Sequence, residues 1–298
     1  MTTLIVGATG FLGGELCRRL SNQGRNVRAL VRTTADPAKL ETLKKLGCGL
    51  VYGDLRDPAS LTAALRGVDE VVTTASTTFS RQPGDSIETT DQAGQLALVA
   101  AAKAARVRHF VYTSYSGGID KTAKPCALTI AKRTVEKALK ESGLTYTILR
   151  PTYYMQIWLS PAVGFDAANA TATIYGNGER PISWISLYDV AEFAVESLDN
   201  PVARNAILEL GGPEALSPLE VVKIFEGVTG RPFTVNFVPV ETLEVQKDSA
   251  TDSLSEAFAA LMLSYANGDV IDMRATLKEF PLALTTVKEY AAKQLVHA

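Results

Sequence analysis

Leu4-Ile5-Val6-Gly7-Ala8-Thr9-Gly10-Phe11-Leu12-Gly13-Gly14 decides how the rest of the chain is read. Its three leading apolar residues predict a short strand, and Leu16 and Leu20 beyond the glycines fall on one face of a helix. Gly7 permits a tight exit from the strand, Gly10 has no Cβ to block a pyrophosphate, and Gly13 lets the helix pack closely on the sheet. The helix N-terminus then offers unpaired N–H groups and the positive end of its dipole to phosphates. A glycine triplet alone is weak evidence. Placed at the first strand-to-helix junction, it predicts a dinucleotide-binding turn with Gly7, Thr9, Gly10, Phe11, Leu12 and Gly13 as its contact residues.

Outward from this turn, short Val- and Ile-rich runs alternate with segments of helical period through about residue 150. Strands are predicted at Leu4 to Val6, Val27 to Val31, Gly49 to Tyr52, Glu70 to Ala75, His109 to Thr113 and Thr145 to Leu149. Helices are predicted at about Phe11 to Asn22, Pro37 to Leu46, Pro58 to Leu65, Ser86 to Ala105 and Thr129 to Ser142. Strict alternation implies right-handed crossovers, hence an α/β fold with a doubly wound, mostly parallel Rossmann-type sheet. After Pro151 the rhythm changes, which divides the chain into a dinucleotide domain over 1–152 and a smaller substrate lobe over 153–298. In that lobe Thr171 to Tyr175 and Ile182 to Ile185 read as strands, with one or two strands returned to the main sheet. Leu187 to Leu198, Pro218 to Val228, Ser253 to Tyr265 and Leu282 to Val296 read as helices. Ser217 and Glu220 form a capping box around Pro218, whereas Glu241 to Asp252 reads as a polar, mobile stretch.

In a dinucleotide fold, the residue ending the second strand meets the adenosine ribose. Here Val31 is followed by Arg32, with no acid to accept from the hydroxyls of NAD. A guanidinium instead suits the 2′-phosphate of NADP(H), and Lys39 is a candidate second charge.

Several pieces in order resemble the NmrA-like and isoflavone-reductase-like branch of atypical short-chain dehydrogenases. They are Gly7 to Gly13, Val31-Arg32, Gly53-Asp54-Leu55, Tyr112-Thr113-Ser114, Leu149-Arg150-Pro151-Thr152, and Leu208 to Leu216. The resemblance implies NADP(H) across the strand ends beneath a C-terminal lobe. It also implies that Asp54 and Leu55 lie near the adenine, and that Thr74, Ala75 and Ser76 line the cofactor groove. Pro151, Thr152 and Tyr153 complete the implied cofactor contacts.

Ordinary members of that superfamily place a Tyr one helix turn before a Lys. Here Lys132 has Leu128 at that position, so the usual acid is absent. Lys132 lies at the margin of an apolar face made by Leu128, Ala131, Val135 and Leu139, and is the candidate catalytic residue. The alternative for it is an exposed i,i+4 pair with Glu136. Ser114 and Tyr115 past the fifth strand, and Tyr154 and Trp158 past the sixth, are candidate pocket residues.

With 30 basic and 32 acidic side chains in 298 residues, the net charge of −2 gives no basic surface for nucleic acid. Cys17, Cys48 and Cys126 carry no paired spacing, and two histidines, His109 at a strand edge and His297 at a solvated end, make no metal set. No apolar run approaches a membrane span, and no leader precedes the first strand, so the expected setting is cytoplasmic. The expected function is reduction of a quinone, enone or related conjugated carbonyl small-molecule substrate by NADPH. The alternative is an NADP(H)-binding redox sensor without turnover.

Overall fold

The computed structural model describes residues 1–78, 81–122 and 125–296, so His297 lies outside the described residues. In chain order the elements are β1 (Thr2–Val6), α1 (Phe11–Asn22), β2 (Asn26–Val31), α2 (Pro37–Lys45), β3 (Gly49–Tyr52), α3 (Pro58–Ala64), β4 (Glu70–Thr73), α4 (Gln95–Ala104), β5 (His109–Thr113), α5 (Ile119–Thr122), α6 (Ala127–Glu141) and β6 (Tyr146–Pro151). There follow α7 (Met155–Trp158), β7 (Phe165–Asp166), β8 (Thr171–Tyr175), α8 (Leu187–Asp199), β9 (Ala206–Leu210), α9 (Pro218–Thr229), β10 (Thr234–Val238), α10 (Val240–Asp248), α11 (Ser253–Asn267), α12 (Arg274–Glu279) and α13 (Val287–Val296). Two compact units are formed: Met1–Ser114 with Ala127–Leu149 and Ala191–Leu208, and Tyr115–Cys126 with Arg150–Val190 and Glu209–Ala298.

The main sheet has the order β3-β2-β1-β4-β5-β6-β9. The chain steps outward from β1 to β3 and then returns to the other side of β1 as β4, with Ile5 in register with Ala29 on one side and Val72 on the other. That reversal is a topological switch point, where the carboxyl ends of neighbouring strands diverge and leave a crevice. Alternation along the strands buries both faces. Leu4, Val6, Val71, Phe110, Tyr112 and Ile148 join Leu61, Leu98, Val135 and Leu139 of α3, α4 and α6 in one apolar cluster. Ile5, Val72 and Val111, pointing the other way, are also fully buried.

Asp57 and Asp36 cap α3 and α2, each with Pro at the first position, which is why these short helices begin where the sequence places them. The helix expected from Ser86 onward is not uniform: Ile87–Gly94 is π-helical, and α-helical geometry begins at Gln95. A π segment widens the turn by one residue per hydrogen-bonded ring, which a 3.6-residue periodicity reading cannot detect.

His109 opens the central strand β5 and is 6% exposed, rather than lying at a wet edge. Its Nε2 is 2.9 Å from Thr147 Oγ1, and burial, followed by the charge of Arg204, lowers its pKa from 6.5 to about 4. The folded chain therefore keeps this imidazole neutral where the unfolded chain protonates it. Stability is unaffected above the ordinary value and falls as pH drops from 6.5 toward about 4. The full effect is about 3 kcal/mol. His109→Gln should flatten the pH dependence of Tm over that window; an unchanged slope would show that the imidazole does not titrate there.

In the second unit, β10-β8-β7 form a separate three-stranded sheet in which β8 is parallel to β10 and antiparallel to β7. The core around it includes Tyr153, Phe165, Trp184, Phe225, Tyr265 and Tyr290. α9 carries the expected capping box of Ser217 and Glu220. Three expectations are corrected. Ile182 to Ile185 makes isolated bridges to Leu216, Asp269 and Tyr154 instead of a strand. The last helix starts at Val287, where Thr286 accepts from Glu289 N and Glu289 accepts from Thr286 N. Glu241 to Asp252, expected to be mobile, contains α10, which buries Leu243 and packs on α11. Among the described residues no helix is long and apolar enough to cross a membrane.

Candidate active site

The glycine turn forms as its sequence dictates. Gly7 adopts the left-handed region at φ +88, and a Cβ there would lie 2.7 Å from Thr74 Oγ1 and 2.9 Å from Ala75 N. A Cβ on Gly13 would lie 2.1 Å from Gly7 O, so only glycine lets α1 start this close to the strand exit. Gly10 N donates to Gly7 O at 2.9 Å, Gly10 itself is exposed, and no side chain caps α1 there. The result is a helix N-terminus whose N-cap position, Gly10, carries no side chain, which fits a pyrophosphate. Phe11 stands 79% exposed beside it, while Leu12 is buried. Lys39 Nζ reaches this turn, donating to Thr9 O at 3.0 Å.

Strand order then brings the β4 exit against the turn. Thr74 N donates to Val6 O at 2.9 Å, Ala75 O accepts from Gln95 Nε2 at 3.1 Å, and Ser76 Oγ lies 3.3 Å from Thr78 Oγ1. Leu55 is buried against Gly94, where a Cβ would lie 2.8 Å from the leucine Cβ.

At the end of β2, Arg32 does not stand alone. Its Nη1 donates to Asp85 Oδ2 at 2.6 Å, and Asp85 Oδ1 is 3.4 Å from Arg56 Nε. Asp54 accepts from Arg56 N at 2.8 Å and Nη2 at 2.9 Å, and the Arg56 guanidinium holds its carboxyl below the usual carboxylate range. Asp54 is therefore a turn residue and an ion-pair partner in this structure. Neither Arg56 nor Asp85 was singled out from the sequence, because each sits in an irregular loop with no period to read.

Lys132 departs from the sequence expectation more sharply. It lies inside the buried face of α6 rather than at its margin, 5% exposed. Its ammonium donates to Thr113 O at 3.3 Å, lies 3.8 Å from Asp91 Oδ1, and sits 5.3 Å from the centre of the Tyr112 ring. Asp91, fully buried on the π-helical segment, accepts from Thr77 N at 3.0 Å and Thr77 Oγ1 at 2.6 Å through its other oxygen. Burial lowers the Lys132 pKa below its ordinary value, and the charges of Asp91 and Glu136 oppose that shift. Glu136 is not the exposed partner of an i,i+4 pair. It is buried, accepting from Ser114 Oγ at 2.6 Å and from Arg133 Nη1 at 2.6 Å. Leu128, one turn before Lys132, is buried and carries no hydroxyl.

The remaining candidates belong to the second unit, apart from these residues in the division of the chain. Pro151 O accepts from Ser116 N at 2.9 Å, and Thr152 N donates to Leu210 O at 2.9 Å. Tyr153 donates to Leu261 O at 3.4 Å and meets Trp158 edge-on, with ring centres 4.8 Å apart; Trp158 stacks on Tyr265 at 5.5 Å. Burial pushes the Tyr153 and Tyr154 hydroxyls well above the ordinary tyrosine value. The Tyr154 hydroxyl has no hydrogen-bond partner among the described residues. Tyr115 opens the loop after β5 and is half-buried.

The sequence profile of the NmrA-like family matches residues 1–291. The NAD(P)H azoreductase of Xenophilus azovorans is 32% identical over 277 residues, 89% of this chain and 89% of that protein. The photosystem II assembly factor Ycf39 of Trieres chinensis is 30% identical over 82% of this chain and 74% of its own length. Among solved structures, the NADPH-dependent quinone oxidoreductase of Escherichia coli complexed with NADPH aligns over 99% of this chain and 100% of that one. Its TM-score is 0.78 at 24% identity, which establishes a shared fold.

Proposed function

This chain belongs to the NmrA-like family, and from that premise we propose that it is an NADPH-dependent reductase acting on a quinone, enone or related conjugated carbonyl. The observation that carries the reading is the pairing of a buried Leu128 with an intact, buried Lys132 ammonium one helix turn later.

Gly7, Thr9, Gly10, Phe11, Leu12 and Gly13 hold the pyrophosphate on the α1 N-terminus, and Arg32 receives the 2′-phosphate. Asp54 and Leu55 lie toward the adenine, and Thr74, Ala75 and Ser76 form the groove wall beside Gly7. Bound NADPH supplies a hydride. Lys132, held by Thr113 O and facing Asp91, is the proton source at Nζ, and the burial that lowers its pKa makes that proton easier to give up.

Reduction of a simple ketone creates a strongly basic alkoxide, which needs a positioned acid. Reduction of a quinone creates a phenolate-like anion whose conjugate acid has a pKa of about 10, close to that of tyrosine. The second case is served by an ammonium or by water, so the loss of the hydroxyl at Leu128 is tolerated. Steady-state NADPH oxidation with quinones or enones should exceed that with saturated ketones of matched size by at least about tenfold in kcat/KM. Preference for the saturated ketone would mean that another acid, such as Tyr115 or Tyr154, replaces the missing hydroxyl. NADPH binding without oxidation across the panel would favour a redox-sensing regulator.

A further inference from the structure

Arg32 and Arg56 are the two guanidiniums at the β2 and β3 ends, and both converge on one carboxylate. The Asp85 side chain is 2% exposed, whereas that of Arg32 is 27% exposed. Asp85 Oδ2 accepts from Arg32 Nη1 at 2.6 Å and from Gln82 N at 2.8 Å. Its Oδ1 faces Arg56 Nε at 3.4 Å. The loop is shaped to hold it there: Gly84 takes φ +85, and a Cβ on it would lie 2.5 Å from Arg56 Nη1. Pro83 O accepts from that same Nη1 at 3.1 Å. Thr34 and Gln82 tie the loop to the residues just after β2 through a side-chain hydrogen bond of 2.5 Å.

With Asp54 on Arg56 as well, two guanidiniums are matched by two carboxylates. A phosphate monoester brings about two negative charges at neutral pH. At Arg32 it meets a site whose charge is already shared, with a fixed, nearly solvent-free carboxylate within contact distance of the same guanidinium. Like charges held this close repel, and little water is present to screen them.

We infer that Asp85 is a specificity-determining residue: by sharing Arg32 with the 2′-phosphate, it weakens NADPH binding selectively and narrows the discrimination against NADH. This rests on the reading of Arg32 as the 2′-phosphate partner. NADH carries no charge at that position, so removing the carboxylate charge should change its binding little. Asp85→Asn is nearly isosteric and keeps an oxygen to accept from Gln82 N and Arg32.

The test is the dissociation constants of NADPH and NADH, measured by calorimetry at low and high salt. The chains compared are the unmodified protein, Asp85→Asn, Arg32→Ala and the double variant, with Asp85→Ser as a second neutral replacement. Asp85→Asn should tighten NADPH about tenfold and leave NADH within about threefold. The gain should persist at high salt, as expected for a buried carboxylate, and be largely lost when Arg32 is absent. Unchanged selectivity, or weaker NADPH binding in both neutral variants, would overturn the inference and make Asp85 a support that aims Arg32. If the unmodified protein binds both nucleotides alike and Arg32→Ala alters neither, it is the assignment of Arg32 that fails.

Discussion

Lys132→Met should lower kcat by at least about a hundredfold, the lower end of what a positioned proton donor contributes. The same change should also destabilise the fold. Lys132 is 5% exposed with Asp91 Oδ1 at 3.8 Å, and Asp91 is fully buried. Removing the cation leaves that carboxylate without its charge partner in an apolar setting, at a cost of about 3–5 kcal/mol. Loss of activity in the single variant is therefore ambiguous unless stability is recovered. Lys132→Met combined with Asp91→Asn removes both charges while the asparagine oxygen still accepts from Thr77. This double variant should regain much of the lost Tm and remain catalytically impaired. Thermal denaturation beside single-turnover NADPH oxidation checks both halves. If turnover returns together with stability, Lys132 is a structural residue and not a proton donor. Glu136→Ala is a poor control, since Glu136 is itself buried between Ser114 and Arg133.

Gly13→Ala should abolish measurable NADPH binding, a loss of at least about a hundredfold or about 2.7 kcal/mol. The added carbon would sit 2.1 Å from Gly7 O and 2.6 Å from Gly7 C, both backbone atoms. Relief requires α1 to move away from the strand exit, taking with it the N–H groups of the proposed phosphate site. Gly14→Ala is the matched control. Its nearest neighbour would be Ala8 O at 3.5 Å, ordinary contact, and it lies inside α1. That variant should bind NADPH as the unmodified chain does and gain up to about 1 kcal/mol in stability from helix propensity. Calorimetric titration and thermal melts of the pair decide the matter. Equal binding by both variants would mean that the close approach at Gly13 does not shape the phosphate site.

The difference between these two glycines shows how far local reading reaches. Gly13 and Gly14 are equivalent in composition, but their offsets from Gly7 predict which one packs on the sheet, and the contacts agree. Strand positions were legible for the same reason. A buried parallel strand needs a largely apolar run, and β5, buried along its whole length, begins and ends where its run does. The capping box of Ser217 and Glu220 marked the start of α9 because a cap satisfies N–H groups within its own turn. Two errors fell where burial is slight or the period shifts, at α10 and at the π-helical segment, whereas Ile182 to Ile185 is fully buried and makes only isolated bridges. α10 buries Leu243 alone, so its composition resembles a loop, and its helical state depends on packing against α11.

The sequence by itself determined the alternation of strands and longer helices through β6, the glycine turn at Gly7 to Gly13, the basic residue at the β2 end, and the absence of a hydroxyl at Leu128. All of these are properties of neighbours within a few residues, where covalent geometry sets the distances. Only the tertiary structure decided that Lys132 is fully buried and faces Asp91, and that Arg32 and Arg56 share Asp85. Hydrophobic periodicity states which side chains point inward but not which inward-pointing chains meet. Those meetings are set by the reversal of strand order at β1 and β4 and by the widened turn of the π-helical segment, which together aim Asp91 toward α6.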